Sequence, residues 1–142
     1  MKLFLDTSSL FKLYSQEKDS DKVERILTHQ NITAIFLSEL AKIEFASTVW
    51  RKIRMLEITK LQAKNLIDAF ENDFSKFVFV QIDTALTEQA TKLLMKYGSQ
   101  GLRTLDSVQL ATAVLLKEDA DLFITSDALL NSFFIQEALS VQ

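Results

Sequence analysis

Ile32-Thr33-Ala34-Ile35-Phe36-Leu37 holds a single polar side chain. A strand with one face in water alternates apolar and polar residues. A nearly unbroken apolar run of this length reads instead as a strand of a parallel sheet, buried on both faces. Lys2 to Leu5, Phe77 to Ile82 and Leu122 to Thr125 are short runs of the same kind. Helical spacing fills the intervals between them. Ser20 to His29 carries a narrow stripe of Val23, Ile26 and Leu27. Ser38 is placed to cap a long helix over about 39–55, on which Leu40, Ile43, Ser47 and Trp50 form one stripe. Thr59 and Gln62 have the spacing of a capping box for a helix reaching Asn72. Thr84 opens a helix through Leu86, Ala90, Leu93, Leu94 and Tyr97, which Gly98 ends as a left-handed cap. Strands alternating with helices call for an α/β fold: one parallel sheet, covered on both faces, with right-handed crossovers. After Asp127, Ala128 to Asn131 reads as a helical turn and Phe133 to Ile135 as a short edge strand.

The bulk numbers narrow the function. At 142 residues the chain, 1–142, is the size of one domain. A net charge of −3 gives no bulk attraction to nucleic acid, although it leaves room for a local basic groove. There is no cysteine, hence no disulfide, thiolate nucleophile or cysteine-bound zinc. The one histidine, His29, closes a polar helix and reads as a surface residue, which leaves no serine–histidine triad. With Gly98 and Gly101 as the only glycines, neither a phosphate-binding loop nor a dinucleotide fingerprint is present. Met1 to Asp6 is too short an apolar run for a signal peptide, and no stretch is long enough to span a bilayer. A cytoplasmic protein without membrane contact is expected.

The chemistry lies in four acids. Asp6 follows the first strand and Asp127 follows the fourth, so both belong to the edge of a parallel sheet where ligands gather. Asp106 opens the helix Leu105-Asp106-Ser107-Val108-Gln109-Leu110-Ala111-Thr112-Ala113, with Thr104 as its candidate cap and Leu105, Val108, Ala111, Thr112 and Leu115 as its candidate buried face. The amino end of that helix must lie at the same edge, because the chain runs from it into the fourth strand. Glu44 sits beside the apolar stripe of a helix that also starts there. Asp6 and Asp106 alone have an ordinary explanation as a cap and a first-turn residue, whereas Glu44 on the flank of a core-facing stripe is costly unless something compensates it. Asp83 at the end of the third strand reads as an ordinary cap or turn acid. Together, four carboxylates repel and do not all stay ionised without a cation. An all-oxygen set without histidine or cysteine suits magnesium or manganese. Such a site orients and deprotonates water and stabilises charge on a phosphate, so metal-dependent phosphodiester hydrolysis is expected.

Phe4-Leu5-Asp6-Thr7-Ser8-Ser9-Leu10, Glu44, Leu102 to Ala113 and Thr125-Ser126-Asp127 together resemble a PIN domain, and within that family the VapC toxins of toxin–antitoxin pairs. The resemblance runs over nearly the whole chain; the first and third motifs are the specific ones. It implies a three-layer α/β/α sandwich with a central, mainly parallel sheet, and an endoribonuclease using Mg2+ or Mn2+. Asp6 and Asp106 match the two central metal-binding aspartates. Glu44 and Asp127 match the remaining acids, which bind metal directly or through water and position the nucleophile. Thr7 and Ser126 match hydroxyl positions near the site. Gln109 stands where histidine is frequent, at a position that is not a ligand. The resemblance also implies an RNA substrate, a homodimer and a small cognate antitoxin that blocks the site. Arg103 and the basic residues from Lys42 to Arg54 are candidates for holding the RNA backbone. The competing readings are a receiver-like module, a metal-dependent adhesion module, a PIN fold that has lost activity, and a PIN nuclease of RNA processing outside a toxin system. A receiver wants paired acids after its first strand and a lysine after its last. An adhesion module wants a serine where Leu10 stands.

Overall fold

The computed structural model of the protein describes residues 1–16 and 20–142. The four strands β1 (Lys2–Leu5), β2 (Ala34–Ser38), β3 (Val78–Val80) and β4 (Leu122–Ile124) form one sheet in the order β3-β2-β1-β4, with every pair parallel. The first strand is therefore central. It pairs Leu3 with Ile35 on one side and with Leu122 on the other.

Alternation along the strands divides the core in two. Leu3, Leu5, Leu37 and Ile124 point to the side covered by α1 (Thr7–Phe11), α2 (Ser20–His29), α3 (Leu40–Arg54) and α4 (Lys60–Asn72). Phe4 and Phe123 point to the other side, covered by α5 (Thr84–Tyr97), α6 (Thr104–Leu115) and α7 (Ala128–Gln136). Because strand side chains alternate and both faces are covered, each strand must be apolar throughout. The result is the expected three-layer α/β/α sandwich.

Local signals account for several helix ends. Asp6, Asp83 and Asp127 each accept a backbone N–H at the start of α1, α5 and α7. Thr59 and Gln62 form the expected capping box on α4. The Ser38 hydroxyl accepts from Leu40 N at 3.1 Å and so opens α3.

Several readings need correcting. Phe133 to Ile135 is helix: Phe133 and Phe134 are buried against the sheet face and extend α7, so no fifth strand forms. Gly98 has right-handed φ and ψ, and the left-handed residue is Gly101 at φ 101°, three residues later, after a 3-10 turn. Asp83, not Thr84, is the cap of α5. Thr104 is the first residue of α6, preceded by Arg103, whose side chain makes no capping bond. Finally, two helices match their expected buried faces only in part. On α3, Leu40 is buried as expected, but Ile43 (68 % exposed) and Trp50 (51 %) face out, while Ala41, Phe45 and Val49 are buried. On α6, Ala111 and Thr112 are buried as expected, but Leu105 and Leu115 at the ends of the face are exposed, and Ser107, Leu110 and Ala113 are buried as well. Aromatic contact sets the rotation of α3. Phe45 packs against Phe11 and Phe70 at ring centroid distances of 4.9 and 4.4 Å, and Tyr14 meets it edge-on. Lys42, expected on a solvated face, lies over the Phe74 and Phe79 rings.

Candidate active site

Asp6 is nearly buried and is held from several directions. Its Oδ1 accepts Ser9 N–H at 3.0 Å, because Asp6 caps α1. The Ser8 hydroxyl lies 2.8 Å from both carboxylate oxygens. The Thr125 hydroxyl donates to Oδ2 at 2.7 Å and accepts from Asp127 N–H at 3.0 Å. Ser126 N–H donates to the Ser8 hydroxyl. The turn after β4 is thus tied to the turn after β1 by hydroxyls on both. Burial pushes the Asp6 carboxyl up to about 6 from an ordinary 3.8, against the lowering pull of Thr125, Ser9 and Ser8.

An open cleft of about 570 Å³ lies over this junction, and Asp6, Glu44, Asp106 and Asp127 all line it. The four acids singled out in the sequence are therefore brought to one place. Asp106, half-buried in the first turn of α6, is raised first by burial and then by the charges of Asp127 and Glu44, with Arg103 pulling it down. Asp127 is exposed and caps α7. Glu44 Oε1 accepts from the Thr7 hydroxyl at 2.8 Å and from Gln109 Nε2 at 2.7 Å. Three residues of the supposed core stripe of α3, Leu40, Ile43 and Ser47, prove to line the cleft beside Glu44, together with Thr48, while Trp50 does not. Lys12, Arg51 and Lys52 supply positive charge to the same walls.

The donor set fits a hard divalent cation that keeps much of its water. Every side-chain oxygen offered is a carboxylate or hydroxyl, and burial followed by mutual repulsion raises Asp106 where a cation would offset both. Among the described residues no three of His, Cys, Asp and Glu close around a point tightly enough to hold an ion alone. Water would have to complete the shell, as magnesium prefers.

Asp83 caps α5 and does not line the cleft, and β3 is an edge strand, so the acid pattern of a receiver is absent. His29 is exposed, as expected. Three residues of the site escaped the sequence reading. Ser8 sits in the first turn of α1 and Thr125 in the loop after β4, places where hydroxyls are commonplace. Gln109 was set aside, yet it is 2 % exposed and touches Glu44. Its spacing one turn after Asp106 on α6 was the available signal.

A family model of the PIN domain matches residues 3–133. The chain belongs to the PIN-domain family. No curated protein matches this PIN domain in sequence. Solved structures match it in fold. FitAcB from Neisseria gonorrhoeae superposes with a TM-score of 0.73 at 16 % identity, covering 98 % of this chain and 95 % of that one. VapC20 of Mycobacterium tuberculosis, a sarcin–ricin loop cleaving toxin, gives 0.69 at 16 % identity over 92 % and 93 %. VapBC2 from Rickettsia felis, bound to a DNA fragment from its promoter, gives 0.68 at 18 % over 100 % and 98 %. Among the described residues of this PIN domain no helix is long and apolar enough to cross a membrane.

Proposed function

We propose that this PIN domain is an endoribonuclease dependent on Mg2+ or Mn2+, and the toxin of a toxin–antitoxin pair. The observation that carries the reading is the convergence of Asp6, Glu44, Asp106 and Asp127 on one cleft, with Asp106 raised by burial and then by its acidic neighbours. The likeness to VapC20, a sarcin–ricin loop cleaving toxin, supports an RNA substrate. The likeness to VapBC2 supports an antitoxin partner; a small antitoxin that covers the cleft and a homodimer are part of the same proposal.

Asp6, Glu44, Asp106 and Asp127 would hold the cation. Bound there, it would supply positive charge to the scissile phosphate and make water more acidic. The protein's own groups do the rest. The Ser8, Ser9 and Thr125 donors keep Asp6 oriented while it is ionised. Glu44 and Asp127 stand as proton acceptors for an attacking water at the cleft walls. Arg103 offsets the charge of Asp106, and Lys12 and Arg51 offer contacts to phosphates on either side of the cut.

The test is cleavage of RNA by purified protein with Mn2+ or Mg2+, beside the same protein in chelator and an Asp106→Asn variant. Cleavage should require both the metal and Asp106, the variant losing more than about 100-fold while its circular dichroism is unchanged. Cleavage that survives in chelator, or in Asp106→Asn, would refute the metal reading.

A further inference from the structure

Three elements meet at one oxygen. Glu44 Oε1, on α3, takes the Thr7 hydroxyl proton from α1 and an amide proton of Gln109 from α6. The other amide proton of Gln109 goes to Thr7 Oγ1 at 3.0 Å. The amide has two N–H donors and the hydroxyl has one, so all three are committed. Glu44 Oε2 makes no hydrogen bond among the described residues, and Glu44 faces the cleft. The clamp therefore fixes one oxygen and leaves its twin to the solvent side. Gln109 gives something up to do this: its own Oε1 is buried without a partner. A residue present only for packing would avoid that cost, since methionine or leucine fills similar space with no orphaned acceptor. Turning the amide over would set its oxygen against the Glu44 carboxylate.

We infer that Gln109 is a positioning residue which, with Thr7, clamps Glu44 Oε1 and so presents Oε2 to a divalent cation in the cleft. This inference rests on the metal-dependent reading above. Groups that orient ligands from behind are worth about 10–100-fold in metal affinity.

The experiment is calorimetric titration with Mn2+ of the wild-type protein, Gln109→Met and Gln109→His, with a thermal melt of each. Methionine keeps the volume and removes both donors; histidine keeps one donor at similar reach. Gln109→Met should bind Mn2+ about 10–100-fold more weakly while melting within about 3 °C of wild type, and Gln109→His should recover most of the affinity. Unchanged affinity in Gln109→Met, with the wild type binding normally, overturns the inference and leaves the metal reading intact. A wild type that binds no Mn2+ overturns both. If the methionine variant melts early, Gln109→Asn, which withdraws the amide by one methylene, takes its place, and unchanged affinity there is equally fatal.

Discussion

Asp6 has exchanged water for one backbone amide and two hydroxyls, Ser8 and Thr125. The exchange is incomplete, because its carboxyl is raised to about 6. Folding raises this pKa, so the folded state binds the proton more tightly than the unfolded chain does. Ionised Asp6 therefore costs stability above pH 6, and the cost fades as pH falls from about 6 towards 3.8. The full difference is on the order of 3 kcal/mol. In chelator, the melting temperature should rise as pH falls from 7 to 5. Asp6→Asn should flatten that slope, melt higher than wild type at pH 7, and lose the proposed nuclease activity. A wild-type melt that falls steadily over that range would contradict the burial argument. Asp6 and Asp106 were legible in the sequence, since a lone acid ending an apolar run or opening an apolar helix is conspicuous. Thr125 was not. Its value lies in a bond to a residue 119 positions away, and nothing local distinguishes it from any turn threonine.

Glycine shows how an element's end is decided at one position. Gly98 is right-handed, and a Cβ there meets nothing within 4 Å. Gly101 has φ 101°, which L side chains rarely adopt. Gly98→Ala should therefore stabilise by about 0.4–1 kcal/mol, whereas Gly101→Ala should destabilise by about 1–2 kcal/mol; urea unfolding of the two variants checks both signs. Along α3, truncating Phe45→Ala should cost about 3–5 kcal/mol, because its ring touches Phe11, Tyr14 and Phe70; the same denaturation measures it. The existence and order of the helices could be read from periodicity. Their rotation could not. The Leu40, Ile43, Ser47 and Trp50 stripe and the Ala41, Phe45 and Val49 stripe both have helical spacing, and only the aromatic partners on α1 and α4 decide between them. For α7, a three-residue apolar run is too short for period to separate strand from helix.

Across the molecule, the sheet order places β1 at the centre, bonded on both sides, with a separate apolar core over each face. Amides of a fully paired central strand open only when the whole fold opens. Native-state hydrogen exchange should accordingly find Leu3 to Leu5 among the slowest amides, and Val78 to Val80 on the far edge faster. The strand pairings themselves could be anticipated only as a parallel sheet; which neighbour each strand takes depends on contacts spread over the full chain. That spread has a consequence during synthesis. The first acid of the cleft leaves the ribosome with residue 6 and the last with residue 127, and β1 acquires its second neighbour only from β4. At about 5–20 residues per second of translation, a nascent chain spends several seconds with its first acid made and its cleft unbuilt. A chain cut short before β4 carries neither Thr125 nor Asp127, so an unfinished copy of this protein lacks both the last acid of the cleft and one of the hydroxyls that hold Asp6.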